Sequence, residues 1–328
     1  MKSADLPLRI EAHHETWPLK DVFTISRGSK TAADVVLVTV TDGSDVGRGE
    51  AVPYARYGET VEGVLAAIAR LGSVEDRVEL AQRLKPGAAL NAVDCALWDL
   101  EAKRQKISAA SLAGIEHITP VLTAFTLSLG TPDAMAAKAK AVAELPLLKL
   151  KLGGVGDADR MRAVRAARPD ARFIADANEA WTADMLPGLM QLAFELGFET
   201  IEQPLPETAD EALRGTRWPV PVCADESVHT LADLPRLIGI YDAINIKLDK
   251  AGGLTGALAL QKAARAAGLK IMIGSMVATS LAVAPALLLA QDADWTDLDG
   301  PLLLASDRMH GLHIEAGIIS PPSAALWG

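Results

Sequence analysis

Lys149 and Lys151 alternate with Leu148, Leu150 and Leu152 in the run LKLKLGG. Successive side chains of a strand point to opposite faces, so the three leucines share one face and the two lysines the other. In a closed parallel barrel the leucines would pack under an outer helix layer and the lysines would point into the mouth. A like-charged neighbour in a partly desolvated site lowers a lysine pKa and makes the amine usable as a base. Taken alone, the run fits a solvated edge strand equally well.

The chain beyond it repeats the event. FIADAN at 173–178, ETIEQP at 199–204, VCADE at 222–226 and AINIKL at 243–248 are short β-rich runs that each bring a charge to a strand end. Lys151, Asp176, Glu202, Asp225 and Lys247 are separated by 25, 26, 23 and 22 residues. That is one strand, loop and helix each, the period of a βα barrel whose strand ends open onto one rim. Three carboxylates packed there repel one another unless a cation sits among them, and all-oxygen ligation suits a hard ion such as Mg²⁺. Separate salt bridges or helix N-caps are the alternative for each acid taken singly. By alternation Asn178 shares the face of Asp176, whereas Glu226 turns away into hydrogen bonding behind the ligands. Lys151 and Lys247 fall on strands two and six, on opposite sides of an eight-stranded ring. Such a pair suits taking a proton from one side of a carbon and returning it to the other, the intermediate enediolate being stabilised electrostatically.

The elements that must position these residues follow from the rest of the pattern. Residues 1–115 read as an α+β cap, with strands at 8–19 and 35–41, an Asp42-Gly43 turn, a return strand at 49–52, and helices at 60–71, 74–84 and 90–105. Val93, Ala96, Leu97 and Leu100 recur at helical spacing, which makes Cys95 and Trp98 packing residues. Residues 116–307 read as the barrel. Its first, seventh and eighth strands are expected at 120–127, 270–274 and 295–299, and its helices at 157–168, 182–196, 208–214, 230–238, 254–267 and 280–291. Residues 308–328 read as short strand and turn returning to the cap.

A 328-residue chain is long for a single core, which fits a barrel with an added domain. Its 50% hydrophobic and 23% charged content is ordinary for a globular protein, and the net charge of −10 argues against nucleic-acid and anionic-membrane partners. Cys95 and Cys223 have no metal or redox spacing and read as reduced, buried thiols. The N-terminal fifteen residues lack an apolar segment, so no secretory signal is expected and the cytoplasm is the default location. Residues 271–290 carry no charge, yet Gly274, Ser275, Thr279, Ser280 and Pro285 divide them into a strand and a buried helix rather than a membrane span. His13, His14, His310 and His313 fall outside the rim pattern.

In combination, the KxK of Lys149 and Lys151, the acidic triad and IKLDKAGG at 246–253 resemble the muconate-lactonizing subgroup of the enolase superfamily. The resemblance covers nearly the whole chain and implies an α/β fold, a modified TIM barrel, (β/α)7β, with an N-terminal α+β capping domain. It implies Lys151 and Lys247 as the acid/base pair, Lys149 as the neighbour that tunes Lys151, and Asp176, Glu202 and Asp225 as ligands of one Mg²⁺ per site. In WTDLDGP at 295–301, Asp297 and Asp299 stand two apart, so both can face the mouth and attract an ammonium. This DxD resembles the feature with which dipeptide epimerases of the subgroup hold the N-terminal amine. Arg27, in TISRGSK at 24–30, falls where the alanyl-glutamate members carry an arginine for an acidic side chain. TISRGSK and YARYGE at 54–59, which holds Arg56 and Tyr57, read as mobile loops of the cap.

The expectation is a cytoplasmic Mg²⁺-dependent isomerase that inverts the C-terminal residue of a dipeptide such as L-Ala-D/L-Glu in murein-peptide recycling. Its partner is a small-molecule dipeptide, with a homo-oligomer left open. A cycloisomerase or o-succinylbenzoate synthase on the same scaffold is the competing expectation, disfavoured by the DxD because neither substrate carries an ammonium. A non-catalytic barrel binding an amino compound is the third, and the lysine pair argues against it.

Overall fold

The computed structural model describes residues 7–328; residues 1–6, the start of the stretch read above as lacking a signal, lie outside it. Arg9–Ile25 (β1), Gly28–Thr41 (β2) and Val46–Ala51 (β3) form an antiparallel sheet in which β1 and β2 make one long hairpin. Val36, Val38 and Val40 are fully buried on one face of β2. Three helices pack there, α1 (Val61–Leu71), α2 (Arg77–Arg83) and α3 (Ala88–Gln105). The Thr60 and Asp76 side chains cap α1 and α2 by accepting from backbone amides of the first turn. Helix α3 lies so close to β3 that a Cβ on Gly49 would stand 2.1 Å from the Ala92 carbonyl oxygen. Its other side meets the barrel, where Asn91 donates to Asp249 and Trp98 Nε1 donates to Thr255.

A short β4 (Val121–Leu122) precedes eight parallel barrel strands in sequential order: β5 (Phe125–Leu127), β6 (Leu147–Lys151), β7 (Arg172–Asp176), β8 (Phe198–Glu202), β9 (Val222–Ala224), β10 (Ala243–Lys247), β11 (Lys270–Gly274) and β12 (Trp295–Asp297). The seam between β5 and β12 is bridged by Ala124 N donating to Thr296 O at 2.9 Å and by Thr126 N donating to the Asp299 carboxylate at 2.6 Å. Leu148, Leu150 and Leu152 are fully buried in the large core around the barrel, as the inside-out pattern requires. Inside, Leu147, Ile174, Cys223, Met272 and Trp295 form an apolar floor. The charged layer sits above it.

Several elements differ from the sequence reading. The expected first strand at 120–127 is two strands, because β4 pairs antiparallel with Ile318–Ile319 while β5 joins the barrel. The expected helix at 208–214 is a 3-10 turn, Asp210–Leu213, and that at 230–238 is broken into Leu231–Asp233 and Leu234–Leu237. The helix expected at 280–291 is split at Pro285, whose ring cannot continue the hydrogen-bond ladder. A helix at Pro132–Ala141 went unread, although Thr131 as N-cap and Pro132 in the first turn announce it. No helix among the described residues is long and apolar enough to cross a membrane; residues 271–290 hold most of β11 and the two short helices. At the C-terminus Gly328 N donates to Asp99, Trp327 Nε1 donates to Cys95 O, and Arg48 donates to Leu326 O, which fastens the tail to α3 and β3.

Candidate active site

Strand register and side-chain alternation together build the site. Lys151 pairs with Asp176 and Asp176 with Glu202 across β6, β7 and β8, so three charged residues stand level inside the barrel. Asp225 follows β9, and Lys247 ends β10. Asp176, Glu202 and Asp225 each offer a carboxylate oxygen within 4.8 Å of the other two, and all three side chains are buried. No other such group of potential ligands occurs among the described residues. Lys151 Nζ lies 2.6 Å from Asp176 Oδ2, and Lys247 Nζ 2.7 Å from Asp225 Oδ2.

The nest fits a hard divalent cation. Glu202 Oε1 accepts from Asn245 Nδ2 at 2.7 Å, but Oε2, though 2.5 Å from Lys149 Nζ, has no partner with hydrogen-bond geometry. An unsatisfied buried carboxylate oxygen facing two further carboxylates is the donor set such an ion takes up. Burial and the neighbouring Asp176 push the Glu202 pKa up to about 7. At Asp225 burial acts in the same sense, but Lys247 and Lys250 outweigh it and hold the carboxyl well below its ordinary range.

Lys149 departs from the expected picture of two bare ammonium groups side by side. It is fully buried, 2.6 Å from Asp297, 2.5 Å from Glu202 and 3.6 Å from Asp176. Burial would lower its pKa, but Asp297, Glu202 and Asp176 prevail and raise it well above the lysine range. Its charge is therefore spent on carboxylates. Asp299 is likewise engaged, accepting from Thr126 N, and burial beside Asp297 lifts its pKa to about 7.

Asn178 has a left-handed backbone, φ 45, and doubles back so that its N and Nδ2 both donate to Asp176. Glu226 lies 2.8 Å from Arg27 Nη2 and lines the same cleft as Lys151, Asp225 and Lys247. TISRGSK is not a free loop: Ile25 pairs with Gly28, so it is the tip of the β1–β2 hairpin, and Ser26 and Arg27 donate to Asn178 O at 2.9 and 3.1 Å. YARYGE contains a 3-10 turn, Ala55–Tyr57, with Arg56 paired to Glu179 and Glu207. Tyr57 packs edge-on against His229. Between hairpin tip and barrel lies a narrow cleft, about 60 Å³, lined by Phe23, Arg27, Lys30, Tyr57, Lys151 and Lys247 among others.

Sequence reading missed four contributors. Asn245 shares the inward face of Lys247, a signal that alternation in AINIK carries. Lys250 donates to Asp225 Oδ1 at 2.6 Å from the short helix after β10, where no strand pattern points to it. Gln203 accepts from Asp225 N at 2.9 Å, and Lys30 lines the cleft.

A capped eight-stranded barrel with an acidic triad at successive strand ends defines an enolase-type architecture, and the chain belongs to that superfamily. Residues 8–114 match the mandelate racemase/muconate lactonizing enzyme N-terminal domain, and residues 134–325 the enolase C-terminal domain-like model. The L-Ala-D/L-Glu epimerase of Escherichia coli is 46% identical over 94% of this chain and 98% of its own length. The N-acetyl-D-glutamate racemase of a Pseudoalteromonas species is 43% identical, covering 90% of this chain and 95% of the relative. Among solved structures, an enolase family member from Agrobacterium tumefaciens with homology to dipeptide epimerases, holding sodium and L-Ala-L-Glu, superposes with a TM-score of 0.96 at 51% identity, over 98% of this chain and all of the other.

Proposed function

We propose that this protein is an L-Ala-D/L-Glu epimerase, an isomerase that moves the α-proton of the C-terminal residue from one face to the other. The observation that carries this reading is the placement of Lys151 and Lys247 on β6 and β10, across the ring from each other, both lining one cleft with the acidic triad between them. A Mg²⁺ held by Asp176, Glu202 and Asp225 would supply the positive charge that makes the substrate carboxylate a sink for the developing enediolate. Lys151 takes or returns the proton on one face and Lys247 on the other. Asn178 and Asn245 orient Asp176 and Glu202, and Lys149 balances the negative charge of Glu202 and Asp297. Asp297 and Asp299 offer the N-terminal ammonium its counter-charge. Arg27 and the hairpin tip roof the side of the cleft where an acidic side chain would lie, and Glu226 ties Arg27 to the barrel. A cytoplasmic role in recycling murein peptides belongs to the same proposal, supported by the alanyl-glutamate substrate.

Proton NMR of L-Ala-L-Glu in D₂O with enzyme and Mg²⁺ tests it. Loss of the glutamate α-proton signal with appearance of the diastereomer, stopped by EDTA, is the expected result. Silence with a wide dipeptide set contradicts it.

A second reading, racemisation of an N-acylated glutamate, is favoured by one observation. Asp297 already meets Lys149 and Asp299 already meets Thr126 N, so each has only part of its charge left for an ammonium. N-acetylglutamate in the same assay separates the two readings: exchange there without exchange of L-Ala-L-Glu selects the second.

A further inference from the structure

Asp225 alone in the triad has an ammonium on each carboxylate oxygen: Lys247 Nζ lies 2.7 Å from Oδ2 and Lys250 Nζ 2.6 Å from Oδ1. The two lysines are not equivalent. Lys247 ends β10 and lines the cleft, and Asp225 is its one hydrogen-bond partner among the described residues. Lys250 stands on the short helix Leu248–Ala251 behind the strand and does not line the cleft. Its side chain is 1% exposed, and Nζ also donates to Asp225 O at 2.6 Å and Asn245 O at 3.2 Å. All three ammonium hydrogens are thereby committed. Withdrawing Lys250 would strand two carbonyls and a carboxylate oxygen in the interior, whereas Lys247 has the cleft to move into.

We propose that Lys250 withholds Oδ1 of Asp225 from the metal, leaves Oδ2 as the only oxygen Asp225 offers, and so sets the preference of the site for a small cation over a large one. Lys250 is then a positioning residue, a role that rests on the reading of the triad as a Mg²⁺ site. Mg²⁺ takes six ligands at about 2.0–2.1 Å, whereas Ca²⁺ takes six to eight at about 2.3–2.6 Å and readily accepts both oxygens of one carboxylate. A second free oxygen on Asp225 adds a ligand that the larger ion uses and the smaller does not.

Calorimetric titration of the metal-free protein with Mg²⁺ and with Ca²⁺ tests this on the wild type, Lys250→Met and Lys247→Met. The wild type should bind Mg²⁺ more tightly. Each variant removes one positive charge beside Asp225, which strengthens both ions. In Lys250→Met, Ca²⁺ should gain about tenfold more than Mg²⁺, because Oδ1 is released as well. In Lys247→Met the ratio of the two affinities should stay within about twofold, since the freed oxygen is the one the ion already uses. Equal gains for both ions in Lys250→Met, or a wild type that prefers Ca²⁺, would overturn the assignment. Should Lys250→Met fail to fold, a crystal structure of the Ca²⁺-loaded wild type decides. Lys250 Nζ still on Oδ1 is the expected result, and both Asp225 oxygens on the ion would contradict it. A wild type that binds neither ion sinks the metal reading itself, before any variant is made.

Discussion

Asn245 Nδ2 donates to Glu202 Oε1 at 2.7 Å from the same strand that carries Lys247 two residues further on. One amide thus fixes the middle carboxylate of the triad and leaves its second oxygen without a hydrogen bond. Asn245→Leu should weaken Mg²⁺ activation by about 10–100-fold while the protein stays folded, as losing the support of a ligand generally does. A Mg²⁺ titration of α-proton exchange measures this. An unchanged midpoint would show that Glu202 needs no such support.

Binding to the folded state alone stabilises it by mass action, about 2.7 kcal/mol at a hundredfold excess over Kd. Mg²⁺ should therefore raise the thermal midpoint, EDTA should reverse the shift, and Glu202→Gln should shrink it. A midpoint indifferent to Mg²⁺ would remove the triad as a metal site.

At the junction of cap and barrel, Asp249 accepts from Val52 N and Asn91 Nδ2, each at 2.9 Å, yet burial pushes its pKa up to about 7. The unfolded chain gives up this proton near pH 4, so the unfolded state binds fewer protons than the native one between about pH 4 and 7. Stability from this group is therefore full below about pH 4, falls as pH rises to about 7, and is level above, a loss of at most roughly 4 kcal/mol. Asp249→Asn keeps an acceptor for both donors. In urea denaturation it should match the wild type near pH 4 and exceed it at pH 8; equal stability at pH 8 would count against a buried charge at this junction.

Gly49→Ala places a methyl 2.1 Å from the Ala92 carbonyl oxygen, and neither β3 nor α3 can yield, because α3 is also pinned by Asp249 and Thr255. A destabilisation of about 3 kcal/mol is expected from such overpacking, read as a lowered urea midpoint at unchanged slope.

The rim was legible in the sequence because a barrel converts a regular spacing into convergence: Lys151, Asp176, Glu202, Asp225 and Lys247 each end or follow a strand. Lys149 was legible as inward-facing but not as neutralised, since its partners Glu202 and Asp297 lie two strands away on either side of the ring, far apart in sequence. The hairpin tip was misread because Gly28 in TISRGSK signals a turn, and nothing local tells a free loop from the end of a long ladder. The short helices after β8 and β9 were overestimated because TADEALR and TLADLPRLI carry helical periodicity that Pro235 and the tight barrel turns cut short.

The most direct test of proton transfer from two faces is diastereomer-resolved α-proton exchange in D₂O by Lys151→Ala and Lys247→Ala. With one lysine left, each variant should exchange only the diastereomer whose α-proton points at that lysine, with retention, and the two variants should choose opposite diastereomers. Neither should epimerise. Full epimerisation by Lys247→Ala, or exchange of both diastereomers by either variant, would contradict the account.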